Sequence, residues 1–166
     1  MLGECWLKAH DYIHSANLLL AGGNGKPRQV QLRRAISTAY YALFHCLARS
    51  AADLLIGGGR AQKSKHAWRQ AYRALEHGTA KNACGRDEIL NKFPQPIEDF
   101  ANHFRAMQLK RHAADYDPYA KFTKSEVQHD INTAEQAIKD YQLASKKDRS
   151  AFVAYVLFKS RKKEAW

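Results

Sequence analysis

The stretch Arg33 to Leu47, RRAISTAYYALFHCL, constrains the fold more than any other. At about 100° per residue, Ile36, Ala39, Tyr40, Leu43, Leu47 and, further on, Leu54 fall along one apolar stripe, which predicts a helix facing the core. Ala35 and Ala39 are small enough to admit a neighbouring helix closely. A second line of Arg34, Thr38, Tyr41 and His45 runs down another face. Arg34 and His45 stand eleven residues apart, about 1100° of turn, so they project within roughly 20° of each other. Two readings fit that line. Either Tyr41 and His45 are core-edge residues whose polar tips find ordinary partners, or they belong to a rail of working polar groups.

The rest of the chain reads as helices laid against this one. Trp6, Ala9, Ile13, Ala16 and Leu20 repeat at three and four, predicting a first helix over 4–20 that stops at AGGNGKP. The second helix then runs over 27–56, with Pro27 in its first turn, and breaks at the glycines of 57–59. No Gly-Lys-Ser/Thr follows those glycines, so they read as a turn and not as a phosphate loop. A third helix over 62–77 places Trp68, Ala71, Tyr72 and Leu75 on one side and Lys65, Arg69, Arg73 and His77 on or near the other. Its basic face is either simply solvated or a phosphate-contacting surface. Gly78 reads as its C-terminal stop, and 79–93 as a loop.

Pro94 and Pro96 introduce a fourth helix, since proline fits only the first turn. Its buried side is Ile97, Phe100, Ala101, Phe104 and Met107, and it ends at Asp117-Pro118. A fifth opens at Thr123 or Ser125, with Ser125 as cap and Glu126 in the first turn. Val127, Ile131, Ala134, Ile138 and Tyr141 form its stripe. Lys146-Lys147-Asp148 interrupts it before an apolar run over 151–158 and the basic tail KSRKKEAW. Nowhere does two-residue alternation persist, so no sheet is expected. The reading is a single all-α domain over 1–166, an antiparallel bundle of four to five helices.

Charge narrows the partners. Lys and Arg number 27 against 16 acidic residues, a net +11 that favours RNA, DNA or an acidic protein. The charge is spread, denser at Arg60 to Arg73 and at Lys159 to Lys163, and no RNA-recognition, KH or zinc-finger signature accompanies it. The longest apolar run has eight residues, so no membrane span is expected. Three widely spaced cysteines, Cys5, Cys46 and Cys84, argue against a disulfide framework and for a reducing cytoplasm. His10 and His14 are one turn apart near Cys5, but HDYIH lacks a zinc-protease glutamate and further ligands. No metal and no cofactor is expected.

Arg34-Ala35-(x4)-Tyr40-Tyr41-Ala42-Leu43-Phe44-His45 resembles the second-helix pattern of the HEPN family, and Arg111-(x2)-Ala114-Asp115-Tyr116 resembles the later helix-end pattern of one of its branches. The resemblance covers about 5–160. It implies a helical bundle that commonly dimerises, and a place in toxin–antitoxin or antiphage defence, frequently beside a minimal nucleotidyltransferase. Many members are metal-independent endoribonucleases. Their activity depends on an arginine followed after four to six residues by a histidine. The imidazole moves the 2′-hydroxyl proton while the guanidinium stabilises charge on the phosphate, leaving a 2′,3′-cyclic phosphate.

This chain departs from that pattern. Arg111 has the right context, yet Tyr116, Asp117 and Pro118 stand where its histidine belongs. Arg105-(x6)-His112 and Arg60-(x5)-His66 have the spacing. With twelve arginines and eight histidines, chance alone supplies roughly 1.7 such pairs. Arg105 and His112 lie where the family keeps its site and are the catalytic candidates. His112 is a catalytic acid/base, a non-cleaving phosphate or base ligand, or a structural residue beside Asp115. Arg34, His45, Arg69, Arg73 and Arg111 are candidate RNA or phosphate ligands, and Tyr41, Asp115 and Tyr116 a supporting network. In the family, a tyrosine two residues after the motif histidine can be modified by the partner enzyme. Ala114 holds that position here, with Tyr116 and Tyr119 the nearby substitutes. The expectation is a cytoplasmic homodimer engaging RNA, with endoribonuclease activity left open. The alternative is a non-catalytic module docking a nucleotidyltransferase or nuclease.

Overall fold

The computed structural model describes residues 4–23, 25–59 and 62–159, with side chains from Lys8 onward. These residues form α1 (Glu4–Ala21), α2 (Gln29–Leu55), α3 (Lys65–Arg73), α4 (His77–Ala83), α5 (Asp87–Leu90), α6 (Gln95–Tyr116), α7 (Lys124–Leu143) and α8 (Lys146–Leu157). No strand occurs among them. The Cys5 and Trp6 side chains, Arg60 and the tail from 160 onward lie outside the described residues. No helix among the described residues is long and apolar enough to cross a membrane.

The bundle is built on α2, which packs against α1, α3, α6, α7 and α8. Its apolar stripe is sealed as the periodicity predicts: Ile36, Ala39, Tyr40 and Leu43 are fully buried, and Leu47 nearly so. Burial of each large side chain stabilises the fold by roughly 1.5–3 kcal/mol. Cross-helix contacts give the directions. Ser37 meets Asp115 and, one turn further along α2, Tyr41 meets Arg111, so α6 runs antiparallel to α2. Likewise Phe100 stacks on Tyr141 while Lys110 bonds Asp130, so α6 and α7 are antiparallel. Between α1 and α2 the chain turns at Gly22, whose φ of +72° and close approach to Gly25 and Pro27 leave no room for a Cβ.

The sequence reading needs correction in four places. The helix expected over 62–77 is two: α3 ends at Arg73, Leu75 turns into the core, and α4 starts after the extended Glu76. Gly78 is therefore the second residue of a helix and not a stop. The loop expected over 79–93 holds α4 and α5, which bury Ala80, Cys84, Ile89 and Leu90. Helices this short never repeat their apolar spacing often enough to announce themselves.

The other two corrections concern helix starts. The cap of α7 is Thr123, not Ser125: its Oγ1 accepts from Glu126 N at 3.2 Å and the Glu126 carboxylate accepts from Thr123 N at 2.9 Å. That reciprocal pair satisfies donors that Ser125, already inside the turn, does not reach. The α7–α8 break falls at Ala144–Ser145, where Ser145 Oγ accepts from Asp148 N at 3.1 Å, and Lys146-Lys147-Asp148 becomes the first turn of α8.

Candidate functional site

Where α2 passes α3, α4 and α6, a set of aromatic and basic side chains meets in one half-buried corner. Arg111 on α6 lies over two rings of α2, its Cζ 5.8 Å from the Tyr40 centroid and 5.7 Å from that of Tyr41. Its Nη2 reaches the Tyr41 hydroxyl at 3.5 Å, and its Nε stands 2.9 Å from Asp115 Oδ2. That last contact is an ion pair without hydrogen-bond alignment, since Nε has no hydrogen-bond partner. Ser37 Oγ donates to the other Asp115 oxygen at 2.5 Å, which fixes the carboxylate against α2.

Two histidines close the corner. His77, the first residue of α4, has Nδ1 2.6 Å from the Tyr40 hydroxyl and stacks on Phe44 with centroids 4.1 Å apart. His45 has Nδ1 2.6 Å from the Tyr72 hydroxyl of α3 and stacks on Tyr12 of α1 at 4.9 Å. Tyr40 exposes none of its surface, and burial pushes its phenol well above the ordinary range, so it stays protonated. A buried O–H needs an acceptor, and Nδ1 of His77 is at hand. The proton of a neutral His77 ring then sits on Nε2, which makes that atom a donor.

The electrostatics point the same way. Burial, then the neighbouring Arg111, holds His77 below the ordinary histidine range. Burial, then His77 and Lys8, does the same to His45. Both rings are thus kept neutral beside a fixed guanidinium. Such a corner offers a permanent positive charge, a neutral N–H donor and aromatic edges, a set suited to a phosphate and its attached sugar or base. Among the described residues no group of three or more His, Cys, Asp or Glu could hold a metal ion.

The family model of the HEPN domain matches residues 3–144, most of the chain. The chain belongs to the HEPN family. No curated protein and no solved structure matches it.

The HEPN bundle brings together only some of the residues singled out in the sequence. Arg111, Asp115, Tyr41 and His45 meet in the corner. Arg105 and His112 do not meet: seven positions apart on α6, they are separated by roughly 10.5 Å of helical rise. Arg105 is exposed, its guanidinium lying over Gly85, and exposed His112 sits tilted against Tyr116 with centroids 5.0 Å apart. Arg34 is exposed at the far end of its line from His45. Tyr116 and Tyr119 are 66% and 89% exposed, and Arg69 and Arg73 lie on the outer face of α3.

Two residues that shape this corner of the HEPN bundle are not legible in the sequence. His77 reads from the sequence as part of a basic helical face, because nothing local says that a new helix starts there and points its first side chain at Tyr40. Arg33, next to the predicted Arg34, is the arginine that engages α6. It donates to the carbonyls of Ala114 at 3.0 Å and Asp117 at 2.8 Å, and also to those of Pro118 and Ala120. These carbonyls belong to the end of α6 and the connection beyond it, so Arg33 anchors the turn that carries Asp115.

Proposed function

We propose that this chain is an RNA-engaging component of a toxin–antitoxin or antiphage defence system, and that Arg111, His77 and His45 receive an RNA phosphate. The observation that supports this most is the ion-paired, ring-stacked Arg111 with a neutral histidine at its side. Metal-independent cleavage would use the same groups: an imidazole takes the 2′-hydroxyl proton, and the guanidinium stabilises the charge that develops on the phosphate. Cleavage by Arg111 and His77, a pair drawn from two helices in place of Arg105 with His112, would need the other tautomer, with Nδ1–H donating to the Tyr40 oxygen and Nε2 free to take the proton. In a homodimer two such corners would serve one RNA.

A second reading has its own support. Tyr40 holds His77 Nδ1 and leaves the ring a donor at Nε2, which favours binding over proton abstraction. The bundle would then bind RNA without cutting it, or dock a nucleotidyltransferase or nuclease partner. The test is incubation of the purified protein with RNA in a metal chelator, comparing the wild type with Arg111→Ala, His77→Ala, Arg105→Ala and His112→Ala. The expected result is RNA binding lost in the first two variants and kept in the last two. Fragments ending in 2′,3′-cyclic phosphate assign the nuclease, binding without fragments assigns the non-catalytic module, and no binding at all removes the RNA reading.

A further inference from the structure

We propose that the outer face of α3 is a docking surface for the RNA backbone, distinct from the Arg111 corner. This rests on the RNA reading above and adds to it the place where the strand is held. The helix KHAWRQAYR contains no acidic residue. Its inner face is tied down, with Trp68 Nε1 donating to Asp53 at 2.8 Å and Tyr72 bonded to His45. His66, Arg69, Gln70 and Arg73 are all exposed and line one open concavity of about 540 Å³ on the opposite side.

Several cations elsewhere are committed to partners: Lys110 to Asp130, Arg86 to Glu88, Lys139 to Glu135 and Arg49 to Asp53. Among the described residues neither Arg69 nor Arg73 pairs with a carboxylate. Their forked N–H donors match phosphate oxygens, and a charge of +11 over the chain draws a polyanion toward them. The four donors form one row along the helix, over roughly 10.5 Å, and only Ala74 lends the concavity an apolar lining residue. A linear polyanion fits such a row, and a lipid surface would need apolar anchors that are missing from it. Because α3 also holds His45 through Tyr72, a strand on its outer face lies about one helix diameter, roughly 10–12 Å, from the histidine corner.

Fluorescence anisotropy with a labelled 20-nucleotide oligouridylate tests this. The double variant Arg69→Glu/Arg73→Glu is compared with Arg111→Ala and the wild type across a salt series. Loss of two phosphate contacts lowers the slope of log K against log salt by about 1.4. The expected result is that drop with at least tenfold weaker binding and an unchanged melting temperature. Wild-type affinity and slope in the double variant overturn the proposal, and leave the corner standing if Arg111→Ala loses binding. Weak binding in the double variant with full binding in Arg111→Ala sustains the α3 face and removes the corner from RNA contact. No binding by the wild type removes both.

Discussion

α6 carries two arginines with histidine prospects, and they end up in different chemical situations. Arg105 and His112 share a line on the helix, yet the first lies over Gly85 and the second over Tyr116, both in solvent. Arg111 has no histidine at the expected spacing, but its side chain is only 14% exposed and is set between Asp115 and the rings of Tyr40 and Tyr41. His77 and His45 reach that corner from α4 and α2. Helical spacing puts side chains on one line; a shared, desolvated pocket needs neighbouring helices to close over them. In water a guanidinium–imidazole pair interacts weakly, whereas a half-buried one is held in place and its pKa values move.

The sharpest way to break this contrast is to exchange the two arginines as targets. Arg111→Ala should lower RNA binding, or cleavage where present, by about 10²-fold or more, as loss of a positioned charge does at phosphate and oxyanion sites. Arg105→Ala should change either by less than about twofold, as expected of an exposed side chain. Equal losses in filter-binding or gel assays would erase the distinction. Arg33→Met comes next. It strips donors from the carbonyls at the end of α6 and should cost about 2 kcal/mol in urea unfolding, with RNA binding falling alongside because Asp115 loses its support.

The histidines sharpen the comparison through pH. His45 and His77 are depressed in the fold, by burial first, relative to an unfolded value of about 6.5. The unfolded chain therefore binds more protons, and stability rises with pH across that range. The contribution is present above about 6.5 and is lost as pH falls through the folded values. NMR titration should place both rings low, and His77→Gln should flatten the fall in urea midpoint between pH 7 and pH 5. An unchanged profile would count against a desolvated corner.

Helix ends extend the contrast at smaller scale. Thr123→Ala should destabilise by about 1 kcal/mol, and Ser125→Ala by a few tenths. Gly78→Ala should stabilise by roughly 0.5–1 kcal/mol, because an added Cβ there meets nothing within 4 Å and the residue is helical. A destabilised Gly78→Ala in thermal melts would restore the reading of Gly78 as a left-handed stop.

Much of this architecture was legible in the chain. The long helices could be read because Ile36 to Leu47, Ile97 to Met107 and Val127 to Tyr141 repeat their apolar residues over several turns, and burial follows that repeat. Proline and glycine positions gave most of the ends. The inner side of α3 is legible in Trp68 and Tyr72, but the segment over 74–93 is not, because α4 and α5 are too short to show a period and Leu75 enters the core from a bend. At the site, Tyr41 and His45 were visible on their line, and Arg111 with Asp115 by their context. His77 and Arg33 were not. Their partners lie 37 and at least 81 residues away.

By itself the sequence determined that the chain is helical and basic, because these properties rest on composition and on spacings within one element; its HEPN membership rests on the family match over residues 3–144. Tertiary structure alone decided which arginine is enclosed and which histidine joins it. Those outcomes depend on how separate helices cross, and the burial that shifts a pKa or fixes a guanidinium exists only once they have packed.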